Sequence, residues 1–265
     1  MRRRDTFGFL AQIGALAAAA ILVHSIYVTV VRPRADTILA EQTAAMQEDP
    51  DYVQPRSLWV TIRDFEQEAC FILMLWAMAI MALKGWSAGR EARLLDRELV
   101  PVPPGMRILP EDAREYARGI ESLPEERRSA LLPRALLAAL HRFLATRNIQ
   151  DVSDTATAVC DAEAERLESE LSMVRYIAWA IPSIGFIGTV RGIGEALGKA
   201  HKAVEGEIAG VTQSLGTAFN STFIALLISI VLMFLLHQLQ LRQERLVLDC
   251  QSYLDTRLVR HLGTG

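Results

Sequence analysis

Four stretches of this chain are long and apolar enough to be membrane helices: Phe9 to Val31, roughly Leu58 to Leu83, Ile177 to Leu197, and Val211 to Leu236. Each is near the ~20 residues a helix needs to cross hydrocarbon, so a bilayer rather than a water-filled surround constrains the fold. Composition agrees. Apolar residues make up 51% of the 265 and mean hydropathy is positive, more than a charged globular surface leaves room for. The expected class is all-α: a polytopic membrane protein with four transmembrane helices, the third and fourth extended into a cytoplasmic helical domain.

The second stretch is the weakest. Its uninterrupted apolar part, Ala69 to Leu83, is about 15 residues, or ~22 Å at 1.5 Å per residue, so its helix must begin earlier. Arg63, Asp64, Glu66 and Glu68 then stand at its entrance. Carboxylates aimed at lipid would cost about 2.5–3.5 kcal/mol each, which puts these charges either in the interface or against other helices.

Lysine and arginine counts set the orientation. Arg2, Arg3 and Arg4 precede the first span, and an arginine-rich stretch runs from Lys84 to Arg175; both are expected in the cytoplasm. The segment between spans one and two carries Asp36, Glu41, Glu48, Asp49 and Asp51 and is assigned to the periplasm, with Arg32 and Arg34 weighing against export. Four spans return the C-terminus to the cytoplasm. The first apolar run is too long for a signal peptide and no small-residue cleavage site follows it cleanly, so it is read as an uncleaved helix. The resulting segments are an N-terminal span at 1–31, a periplasmic segment at 32–57, a second span at 58–84, a cytoplasmic helical domain at 85–175, a transmembrane hairpin at 176–237 and a cytoplasmic amphipathic helix at 238–265.

The domain at 85–175 is broken by Pro101-Val102-Pro103-Pro104-Gly105 and by Pro110, Pro124 and Pro133, which predicts short helices between the breaks. From Asp151 no proline intervenes until Pro182, and the pattern predicts one helix capped near Ser153 or Asp154 that continues into the membrane. In the tail, Leu239, Leu246, Cys250, Tyr253, Leu254 and Leu258 recur at helical spacing, with Arg242, Glu244, Asp249 and Arg257 mostly on other faces. Simple bundle packing explains that stripe better than a docking surface does. Cys70, Cys160 and Cys250 have no metal-ligand spacing, and no disulfide is expected of them.

The hairpin carries the chemistry. Its third span lines one face with Ala178, Pro182, Gly185, Thr189, Gly192 and Ala196; its fourth does so with Ser214, Ala218, Thr222, Ala225 and Ser229. Gly188 and Gly192 add a small-xxx-small pair. A turn within His201 to Gly210 brings Thr189 and Thr222 to one depth, where they could share a ligand. Close helix packing explains the small residues, and a buried hydroxyl often bonds back to a carbonyl of its own helix. Pro182, which lacks an N–H, frees a carbonyl one turn earlier.

The block Pro182-Ser-Ile-Gly185-Phe-Ile-Gly188-Thr189-Val190-Arg-Gly192, followed by Thr222-Phe-Ile-Ala-Leu226-Leu-Ile-Ser-Ile230, resembles the paired signature of the MotA/TolQ/ExbB proton-channel family over roughly Asp151 to His237. The resemblance implies a subunit of an ion-driven motor or energiser of the bacterial inner membrane. It implies a homo-oligomer, a pentamer, around the paired transmembrane helices of a single-span partner of ExbD/TolR/MotB type that supplies an intramembrane aspartate. By the same resemblance Thr189 and Thr222 line the inner channel facing that carboxylate, and Pro182 is the motif proline. No organic cofactor is implied; the ion is the proton, with sodium the alternative.

None of the four apolar cores offers an obvious central carboxylate of its own, which fits a borrowed acid. A threonine hydroxyl suits a partner that alternates between charged and neutral, since it can donate to one state and accept from the other. Departures from the family pattern are Arg191, where an uncharged residue is usual, and Ala225 in place of a frequent glycine. Arg191, Glu195 and Lys199 form an i, i+4 ladder that is either a solvated ion-pair network or a set of channel-mouth charges. Thr217 and Ser221 either line the path or bond between subunits. His24 and His237 fit packing or snorkelling better than proton transport.

Two other functions compete. One is a flagellar-stator subunit, with Arg90, Glu91, Arg93, Arg97 and Glu98 facing a rotor or merely solvated. The other is a non-conducting membrane scaffold, which would be indifferent to threonine chemistry. An enzyme is not expected, because no nucleotide loop, nucleophile set or metal cluster occurs, and no nucleic-acid partner is implied.

Overall fold

The computed structural model describes residues 2–48, 52, 55–103, 105–204 and 208–263, so Asp49, Asp51, Pro104 and residues 205–207 of the expected turn lie outside the described residues. Among the described residues every regular element is helical: α1 (Arg2–Ile26), α2 (Arg32–Glu48), α3 (Leu58–Thr61), α4 (Phe65–Leu95), α5 (Ala113–Glu121), α6 (Glu125–Arg128), α7 (Leu131–Thr146), α8 (Ile149–Glu170), α9 (Ser172–Gly198), α10 (Ala200–Val204) and α11 (Ala209–Tyr253). A lone backbone bridge joins Ile108 to Leu262. Among the described residues, four helical stretches are long and apolar enough to cross a membrane: Leu10–Met46, Phe65–Leu95, Ile149–Gly198 and Gly210–His261. The protein is a multi-pass membrane protein of the all-helical class.

The helix of the first span does not stop at Val31. A π-helical turn at Tyr27–Val31 joins α1 to α2. Pro33, second in α2, has no N–H to give the carbonyl four residues back, and a π turn before it absorbs the missing bond. The second span begins later than Leu58: α3 is a separate turn, and α4 starts at Phe65 with Glu66 and Glu68 in its first turn, where the helix dipole favours negative charge.

The chain divides into two compact units, one formed by residues up to Met81 with Met173–Leu236, the other by Ala82–Ser172 with His237–Gly265. In the second unit, α7 packs on α5 and α8 around Leu136, Leu140 and Phe143, all fully buried. The tail stripe joins this core through Leu254, Leu258 and Cys250, while Arg242, Glu244, Asp249 and Arg257 stay exposed. Cys160 and Cys250 are free thiols there, with Sγ atoms 4.0 Å apart.

Pro124 precedes α6, but Pro133 lies inside α7. It sits in the first turn, where its absent N–H has no helical acceptor to lose. The helix expected from Asp151 starts earlier, because Arg147 turns left-handed (φ 52°) to end α7 and Asn148 caps α8 by accepting from the Gln150 N–H at 2.9 Å. Ser153 and Asp154 lie within α8, and Leu171 marks a one-residue interruption before α9.

Candidate functional site

In the first unit α9 and α11 run antiparallel, with Ala178 beside Ser229, Gly185 beside Thr222 and Ala225, Gly188 beside Ser221, and Gly192 beside Ala218. The glycines permit this register. A Cβ at Gly185 would overlap that of Ala225; one at Gly188 would lie 2.6 Å from the Ser221 side chain, and one at Gly192 would lie 2.9 Å from Ala218 backbone atoms. Gly194, by contrast, faces open space. Small side chains thus bring the two backbones close, the usual basis of helix association where lipid removes the hydrophobic driving force.

The close approach brings Thr189 and Thr222 together. Their hydroxyl oxygens are 2.5 Å apart, both half-buried. Thr189 Oγ1 lies 3.3 Å from the Gly185 carbonyl and 3.0 Å from that of Ala218, and Thr222 Oγ1 lies 3.1 Å from the Gly185 carbonyl. Two hydroxyls carry two protons, so one set is consistent with the contacts at a time. Either Thr189 donates to Thr222 and Thr222 to the Gly185 carbonyl, or Thr222 donates to Thr189 and Thr189 donates to the carbonyl of Ala218 or, back in its own helix, to that of Gly185. Every such set keeps both protons inside the hairpin and leaves lone pairs open to an outside donor. Bonding back to its own helix and meeting the other threonine are therefore joint properties of Thr189, not rivals.

Pro182 has a definite partner. The carbonyl it leaves without a helical donor is that of Ala178, and the Ser229 hydroxyl donates to it at 3.0 Å. The motif proline is thereby tied to α11 and not to the threonine pair.

The charged residues flanking the pair keep the expected Arg191–Glu195 contact and add a partner that local spacing does not foretell. Arg191 grips Glu66 of α4 with two bonds, Nε to Oε1 at 2.7 Å and Nη2 to Oε2 at 2.9 Å, while Nη1 meets Glu195 at 2.7 Å. Lys199 leaves the expected ladder and donates to Ser214 at 2.9 Å. Glu68 is buried and bound by both His24 (2.7 Å) and Arg32 (2.5 Å), and Arg63 pairs with Asp36 at 2.8 Å. Glu66 and Glu68 face other helices, and His24 does more than pack. His237 is exposed. Ser221 is buried, donates to the Thr217 carbonyl at 3.2 Å, and accepts from Gln67 at 3.3 Å; Thr217 is half-buried. Gln67 is a polar group that the sequence pattern left unremarked, its one signal being an uncharged amide between two glutamates.

Residues 128–252 match the model of the MotA/TolQ/ExbB proton channel family. No curated protein and no solved structure matches the chain.

Proposed function

Since residues 128–252 match the model of the MotA/TolQ/ExbB proton channel family, we propose that this chain is a ring-forming subunit of a proton-driven inner-membrane motor or energiser. In this reading Thr189 and Thr222 receive an aspartate from the transmembrane helix of a single-span partner at the centre of a homo-pentamer. The arginine-rich segment 85–175 and both termini are cytoplasmic, and the segment after the first span is periplasmic. The chain transports protons and catalyses no covalent chemistry.

The observation that carries the reading is the hydroxyl pair formed across two helices, 2.5 Å between oxygens. Its open lone pairs accept from a protonated aspartate without any change in the hairpin. An ionised aspartate draws one hydroxyl proton away from a backbone carbonyl, and the Gly185 carbonyl retains its helical N–H when that happens. The switch between the two partner states thus needs only hydroxyl rotation. Packing alone would be served as well by valine.

Reconstituting the chain with its aspartate-bearing, single-span partner in vesicles and following proton uptake tests this. Thr189→Val and Thr222→Val, which keep shape and remove the hydroxyl, are expected to stop uptake while assembly is retained. Undiminished uptake in both would reject the site, and no uptake by the parent itself would favour the scaffold.

A further inference from the structure

The first unit contains a polar residue with no role in the hairpin's packing. Gln67 is 0% exposed, and its amide nitrogen donates to the Thr61 carbonyl at 3.2 Å and to Ser221 Oγ at 3.3 Å. A carbonyl can only accept, so the nitrogen end must face Thr61, which fixes the amide orientation. The oxygen, Oε1, then has no protein partner. Tyr27 Oη, on the neighbouring π turn, is the other such buried side-chain atom of this unit among the described residues.

Leaving a buried acceptor unpaired is costly, and a buried water needs two to four polar partners. Gln67 Oε1 supplies one. Ser221 Oγ supplies another, since its proton goes to the Thr217 carbonyl and only one of its lone pairs is taken by Gln67. Two available oxygens suit a water and fall well short of the six or more that hard metal cations gather.

The surroundings of this position point to what the water would carry. A Cβ on Gly188 would touch both Ser221 Oγ and Glu66 Cγ, so the Arg191–Glu66–Glu195 group lies against Ser221. Asp64 is within electrostatic reach of Arg191, Glu66, Arg63 and Glu195. With Arg63 matched by Asp36, three carboxylates face one guanidinium, an excess of negative charge that draws protons. On the other side, Ser221 is one residue from Thr222.

We propose that Gln67 and Ser221 seat a proton-carrying water that links the acid-rich group of Asp64, Glu66, Arg191 and Glu195 to the Thr189–Thr222 pair, making the start of α4 the entry limb of the ion path. The proposal rests on the function argued above and adds a route to it. The water takes up a proton arriving from the carboxylates and releases one toward the partner's aspartate, so its own composition is restored each cycle.

The test is proton uptake by vesicles holding the whole chain and its partner. Gln67→Met keeps the side chain's length and removes both polar ends. It is expected to slow uptake about tenfold, the rate equivalent of one lost hydrogen bond. If Thr222→Val stops uptake while Gln67→Met conducts like the parent, the entry limb is rejected and the threonine site stands. If Thr189→Val and Thr222→Val both conduct like the parent, the threonine site fails and takes the entry limb with it. Should Gln67→Met not assemble, Ser221→Ala carries the same prediction, and parental uptake by that variant overturns the proposal.

Discussion

Where α9 meets α11, the contact is made by Gly185, Gly188, Gly192, Ala218 and Ala225; where α7 meets α5 and α8, it is made by Leu136, Leu140 and Phe143. The second contact draws on the transfer of large apolar side chains out of water, about 1.5–3 kcal/mol for each one buried. The first cannot, because lipid is as apolar as leucine, and it relies on close backbone approach and hydroxyl bonds. One region is therefore damaged by removing volume, the other by adding it.

That contrast can be broken most forcefully in the second unit. Phe143→Ala should cost about 3–5 kcal/mol through cavity formation, read as a lowered thermal midpoint of the purified protein; a shift of less than a degree would remove the contrast. In the hairpin, Gly192→Ala should cost about 1–3 kcal/mol by overpacking, because its new methyl meets Ala218 backbone. Gly194→Ala, two residues along and facing open space, should be neutral or slightly stabilising as a helix interior glycine is relieved. Equal melting of the two variants would mean that close approach is not what the motif glycines serve.

The smallest effect sharpens the comparison. Ser229→Ala should cost about 0.6–1.7 kcal/mol, the range of hydrogen bonds between membrane helices. In a Pro182→Ala background the same change should cost less, since the new N–H supplies the Ala178 carbonyl from within α9. A double-mutant cycle measures the difference as a coupling energy, and purely additive costs would show that the serine does not answer the proline.

The hairpin was legible in the sequence because its signals are local and periodic. Small residues three or four apart marked the facing stripes, Pro182 announced a freed carbonyl, and the tail's Leu246, Leu254 and Leu258 gave their buried face. Partners far apart in the chain were not legible. Arg191 and Glu66 are 125 positions apart and Gln67 and Ser221 are 154 apart, and nothing in the local pattern links them; the i, i+4 ladder offered Arg191 a nearer partner in Glu195 and hid the farther one. Asn148 is not singled out as the cap by sequence, because Ser153 and Asp154, five and six residues later, fit the same chemistry. The helix through Pro33 is illegible for another reason, since a π turn has no signature in apolar periodicity.

A structure of the assembled complex with its single-span partner gives the most direct measurement: the distance from the partner's intramembrane carboxylate to the Thr189 and Thr222 hydroxyls. Hydrogen-bond reach, 2.5–3.0 Å or through one water, in at least one subunit of the ring is the predicted result. Threonines turned toward lipid, or a ring whose centre holds no partner helix, would contradict it.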